Sequence, residues 1–168
     1  LGANSTGSYN TAVGANALAN NTTSSGSTAV GEDALLTATT GIQNTAMGQS
    51  ALRLHETGHY NVAIGANALA NNTTGGENTA VGKDALEANT TASYNAAFGY
   101  YALTANTTGA YNTALGHEAL KTNTTGLRNT ALGWGAMYKA TTGDRNVAIG
   151  NYALADGTMT GDYNCAVG

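Results

Sequence analysis

His55-Glu56-Thr57-Gly58-His59 spells H-E-x-x-H. On a helix, that spacing sets two imidazoles on one face to hold zinc, with the glutamate as general base. Here Gly58 coincides with a turn glycine of the repeat described below, so the motif falls on a turn and reads as a chance match. No third ligand lies in reach, since His117 is far along the chain. No metal site and no cofactor are expected. The single cysteine, Cys165, can form no internal disulfide and has no nearby histidine, so it reads as a small packing residue. Asn-x-Ser/Thr sequons occur at Asn4, Asn20, Asn21, Asn71, Asn72, Asn89, Asn106 and Asn123. They read mainly as turn sequence, with glycosylation as the alternative.

Aromatic residues fall into two groups. Tyr9, Tyr60, Tyr94, Tyr111 and Tyr163 recur at one repeat position and suggest a stacked structural role. Tyr100, Tyr101, Trp134, Tyr138 and Tyr152, with His117 among them, occupy positions that vary from unit to unit. Exposed rings on neighbouring units suit stacking on sugars or contact with a protein receptor. These six residues are the candidate contact site.

The elements that must carry these side chains follow from the repeat. A phrase of the type Asn-Thr-Ala-Val-Gly begins at Asn10, Ser27, Asn44, Asn61, Asn78, Asn95, Asn112, Asn129 and Asn146. The step between these starts is constant at seventeen, as from Asn44 to Asn61. The next start, Asn164, comes one place late through an insertion near Asp156 to Thr158. The unit reads N-T-A-aliphatic-G-x-x-A-L-x-x-N-T-T-G-x-Y. Nine complete units fit from Asn10, with partial ones at both ends, so residues 1–168 form one array. Leu1-Gly2 already match positions four and five, and Val167-Gly168 end in the same phase. That phase leads to the expectation of a segment from a longer fibrous protein.

A unit this short cannot hold the helix pair of a helical repeat, and the apolar spacing is not helical. Two short strands and two turns fit instead: T-A-V, then x-A-L, with glycine and the Asn-Thr-Thr-Gly stretch as turns. The expected fold is all-β, a parallel β-solenoid (β-roll) of 17-residue coils stacked about 4.8 Å apart. One coil buries one leucine and one other aliphatic side chain, about 3–6 kcal/mol. Ordering its backbone costs several times more, so stacking must supply the difference. The first-position residues Asn10, Asn44, Asn61, Asn78, Asn95, Asn112, Asn129, Asn146 and Asn164 are expected to form an amide ladder. Threonine at position fourteen suggests a second ladder in the turn.

Neighbouring residues on a strand point to opposite faces. Ala63-Ile64 and Ala148-Ile149 therefore make both faces of the first strand apolar, and Ala68-Leu69 and Ala153-Leu154 suggest the same for the second. A coil has one lumen, so one apolar stripe per strand should remain outside. Stripes that long exceed what soluble monomers usually expose. Self-association about a common axis is expected, with three chains the favoured number.

The phrase Asn-Thr-Ala-Val-Gly-x-x-Ala-Leu resembles the head repeats of trimeric autotransporter adhesins, the YadA-like head family. Asn61-Val62-Ala63-Ile64-Gly65 and Asn146-Val147-Ala148-Ile149-Gly150 match most closely. The same grammar is similar to repeats of phage tail-fibre proteins. The resemblance covers essentially the whole chain and implies a homotrimer of left-handed β-rolls. It also implies display outside the cell or on a virion, with binding spread over the surface. No site residue can be carried over from it.

Composition narrows the rest. The 168 residues include 23 Gly and no Pro, which excludes collagen. Six Lys+Arg against ten Asp+Glu give a net charge of −4, a poor basis for binding nucleic acid. No run of 18 apolar residues predicts a membrane-spanning helix. No acidic constellation recurs, so the chain reads as non-enzymatic. The leading expectation is an extracellular structural and adhesive fibre segment that meets a host cell, matrix protein, glycan or receptor. A purely architectural filament or tail-fibre shaft is the alternative. An ice-binding solenoid is a lesser one, disfavoured because the adjacent threonines cannot share one plane.

Overall fold

The computed structural model of the chain describes residues 2–168; the Leu1 match to position four lies outside them. Ten three-residue strands form one parallel sheet in chain order. They are β1 Thr11–Val13, β2 Thr28–Val30, β3 Thr45–Met47, β4 Val62–Ile64, β5 Thr79–Val81, β6 Ala96–Phe98, β7 Thr113–Leu115, β8 Thr130–Leu132, β9 Val147–Ile149 and β10 Cys165–Val167. Each strand pairs in register with the same repeat position one coil away, as Ala63 does with Ala80. The coil with the insertion keeps the register, Ala148 pairing with Ala166. No helix occurs among the described residues. The chain is an all-β parallel solenoid of about nine turns, with one repeat unit to each turn.

Each coil has one strand rather than the two expected. The x-A-L segment is a turn: Ala68 N–H donates to Gly65 C=O at 3.3 Å, and Leu69 sits at φ 53°. A leucine in the left-handed region is uncommon and costs about 1–3 kcal/mol. It recurs in coil after coil because Leu69 N–H then reaches Ala85 C=O of the next coil at 3.0 Å. The same bend turns both Ala68 and Leu69 inward, and both are fully buried. The second outward apolar stripe expected from strand alternation is therefore absent.

The core is a column of leucines, Leu18 to Leu120 with Met137 continuing it, flanked by the alanines of positions three and eight. Glycine at position five closes the strand at the rim of this column. A β-carbon on Gly82 would lie 2.5 Å from the Gly99 carbonyl oxygen, and its φ is +136°. Stacked backbones approach too closely there for any side chain.

Polar columns line the remaining arc. At the first position, Asn95, Asn112 and Asn129 are buried, and each Oδ1 accepts the backbone N–H of the next coil at 2.9 Å. Nδ2 of Asn112 donates to Gly126 C=O at 2.8 Å. The bonds are thus chiefly amide to backbone; direct amide-to-amide bonds join only some rungs, such as Asn61 to Asn44. The threonine ladder lies one place earlier than expected, at position thirteen. There Thr73, Thr90, Thr107 and Thr124 donate to the next coil's carbonyl at 3.1–3.2 Å. Position fourteen is exposed, as at Thr40 and Thr74, although the Thr23 hydroxyl still donates to Thr39 C=O at 3.2 Å.

Candidate functional site

The outward face of the sheet is lined by fourth-position side chains. Phe98 (39 % exposed), Leu115 (51 %), Met47, Ile64 and Ile149 are exposed, while the Ala before each is buried. This single-chain apolar column runs the length of the array, broken by the half-buried Val30, Val81 and Leu132.

Five of the six candidate contact residues lie within two places after a position-five glycine, and Tyr138 lies at position ten. Backbone bonds hold their spacing: Tyr101 N–H donates to Lys83 C=O, Glu118 to Tyr100, Gly135 to His117 and Tyr152 to Trp134, at 2.8–3.1 Å. Tyr100 stacks on His117 at 5.1 Å, His117 meets Trp134 edge-on at 6.2 Å, and Trp134 meets Tyr152 at 5.0 Å. Tyr101 packs edge-on against Tyr100 at 4.2 Å. Tyr138 joins through Lys121, whose Nζ lies 5.3 Å from its ring and 5.0 Å from that of Tyr101.

The lysines were not singled out from the sequence, because only rings were sought. Lys83 sits 5.4 Å from both the Tyr100 and Tyr101 rings and 2.5 Å from Asp84. Lys121 bonds Glu118 at 2.6 Å. Burial pushes the Asp84 carboxyl up, but hydrogen bonds from Lys83 and Asn67 outweigh it and hold it below its usual value. The hydrogen bond to Asp84 raises Lys83, and that to Glu118 raises Lys121. Each lysine is thus paired with a carboxylate, and Glu87, whose carboxyl burial pushes up, adds a further acid near Lys83 and Asp84. The readable signal was that these residues share columns with the rings, one repeat unit away.

The other column of tyrosines is discontinuous. Tyr94 and Tyr111 stack at 4.9 Å, but Gln43, Glu77, Arg128 and Arg145 hold the same position in other coils. Arg128 lies over the Tyr111 ring at 5.2 Å. Cys165 is exposed on β10, with its thiol free.

The H-E-x-x-H segment occupies a turn, and its two histidines part company. His55 is fully buried at position twelve. Its Nε2 bonds Gly58 C=O at 2.7 Å, and its Nδ1 faces Asn72 Nδ2 at 3.1 Å. Carbonyl and amide fix the roles: Nε2–H donates, Nδ1 accepts, and the ring is neutral. Burial pushes its pKa below the ordinary value. His59 instead accepts the Ile42 N–H through Nδ1 at 3.0 Å. No group of three metal-binding side chains occurs among the described residues.

His55 replaces an asparagine in a buried ladder that the sequence reading missed. Asn89, Asn106 and Asn123 each donate to the Oδ1 of the preceding rung at 2.9–3.1 Å and to a carbonyl of their own turn. Five sequon asparagines, Asn21, Asn72, Asn89, Asn106 and Asn123, are fully buried in this column. A glycan on any of them is incompatible with the folded coil. The column accepts only Asn, His or Ala in the coils from Asn21 to Ala140, and that restriction was legible.

A scan of protein-family models matches none for this chain, and searches of curated proteins and of solved structures find no match.

Proposed function

We propose that this solenoid is a segment of an extracellular structural and adhesive fibre. The exposed fourth-position column carries the reading. An apolar strip along the whole rod has no counterpart in its own chain, and packing against further copies would cover it. Three copies about one axis, wound left-handed, is the arrangement implied by the resemblance to trimeric autotransporter heads. The rings of coils six to nine then face the surroundings once per copy. Attachment works by several weak contacts held together on one stiff body. Catalysis has no part in this reading.

The experiment is retention of the rod on immobilised host-cell surfaces and matrix, comparing wild type with a Trp134→Ala/Tyr152→Ala variant. Retention should fall at least tenfold in the variant with its fold intact. Equal retention would remove the rings from the reading. Absence of retention for both would favour a purely architectural filament.

A further inference from the structure

The rings of coils six to nine are not merely neighbours; they keep the step of the solenoid. Tyr100, His117, Trp134 and Tyr152 come from successive coils, and their centroids are 5.0–6.2 Å apart. The backbone ladder beneath them fixes that step. A ligand lying along this strip must repeat at the same interval. An extended peptide does not, because its same-face side chains recur about every 7 Å, against about 4.8 Å per coil. A pyranose ring is about one coil high, so a chain of linked sugars stays in phase over all four rungs.

The chemistry of the strip agrees with an uncharged sugar. Lys83 and Lys121 are each committed to a carboxylate, Asp84 and Glu118, and Glu87 adds a further acid near Lys83, so neither lysine is left to pair with an acidic sugar. Trp134 is half exposed, and neither neighbour lies flat on it: His117 meets it at 81° and Tyr152 at 56°. The exposed half of the indole is the surface that the C–H face of a sugar would meet.

Gly135 makes this end of the strip. A β-carbon there would lie 2.5 Å from the Tyr152 ring, so the ring rests against Trp134 only because position seven is glycine in this coil. Asn16 and Asn67 hold the same position with φ 56° and 57°, close to the 62° of Gly135. Asparagine therefore suits the backbone at this position but displaces Tyr152.

We infer that coils six to nine bind a linear, uncharged β-linked pyranose chain running along the rod, one sugar per coil, with Trp134 and Tyr152 as anchor and Gly135 as a positioning residue. This rests on the attachment reading above and names its ligand class. Trp134 is the sole tryptophan, so its emission reports the site directly.

The probes are β-(1→4)-linked oligomers of glucose, mannose and N-acetylglucosamine, two to six units long, followed by fluorescence and calorimetry. For at least one series, affinity should rise with length to four units and then level off. Gly135→Asn should weaken it about tenfold while the thermal transition stays in place. Failure of every oligomer to bind, affinity indifferent to length, or wild-type affinity in Gly135→Asn would each overturn the inference. If no oligomer binds but retention on surfaces still depends on Trp134, the partner is a protein. The sugar assignment then falls and the attachment reading stands.

Discussion

The twelfth-position ladder ends abruptly, and the break can be repaired. Asn123 Oδ1 is buried and has no hydrogen-bond partner within the protein, because the next rung is Ala140. In the rungs below, the corresponding Oδ1 accepts from the next asparagine, as Asn106 Oδ1 does from Asn123 at 2.9 Å. Ala140→Asn would supply that donor, and the same amide would reach Gly143 C=O, as Asn106 reaches Gly109 C=O at 2.9 Å. Two hydrogen bonds contribute about 1 kcal/mol each, and relieving a buried orphan acceptor about 1–3. Fixing the new side chain costs about 1 kcal/mol. The terms sum to about 2–4 kcal/mol. The new Oδ1, which has no asparagine above it but lies beside the exposed Thr158 coil, sets the net gain at the lower end, about 2 kcal/mol, or roughly 4–8 °C in midpoint for a chain of this size. Circular dichroism melts at one fixed chain concentration measure it. Ala38→Asn is the control. It satisfies Asn21 Oδ1, the other orphan. Its own Oδ1 would then face His55, whose Nε2–H is committed to Gly58 and whose Nδ1 accepts from Asn72. The orphan is moved rather than removed, so the net effect should be near zero. Equal midpoints for wild type and Ala140→Asn, or a loss, would refute the ladder energetics.

Acid should loosen the third coil. The folded-state pKa of His55 lies below its unfolded value of 6.5, so the unfolded chain binds the extra proton first. The His55 contribution is complete above pH 6.5 and is lost as pH falls from there through the depressed folded value. Urea melts from pH 7.5 to 4.5 should show this slope, and His55→Asn should flatten it; an unchanged slope would place the titrating group elsewhere. Gly82→Ala should destabilise the array by about 3 kcal/mol, from its left-handed backbone and the contact with the Gly99 carbonyl. A midpoint within about 2 °C of wild type would contradict the close stacking at position five.

Much of the fold was legible because the chain repeats itself. The Thr-Ala-Val strand, the position-five glycine and the leucine column each recur at one spacing. What the sequence concealed was backbone sign. Alternation assigns Ala68 and Leu69 to opposite faces, but the left-handed φ of Leu69 brings both inward, and a leucine announces no such conformation. The buried asparagine column was hidden for a different reason, since Asn-x-Thr reads equally as a turn or a sequon. The candidate rings were visible as types in neighbouring coils. Their lysine partners and the enabling glycine became visible only when side chains of successive coils were placed side by side.

Sedimentation equilibrium of the purified chain at micromolar concentration tests the central claim most directly, namely that the outward strand column is covered by further copies. The predicted mass is three times the 16.8 kDa of one chain, falling to that of one chain when Phe98 and Leu115 are both changed to lysine. A stable species of single-chain mass in the unaltered protein would contradict it.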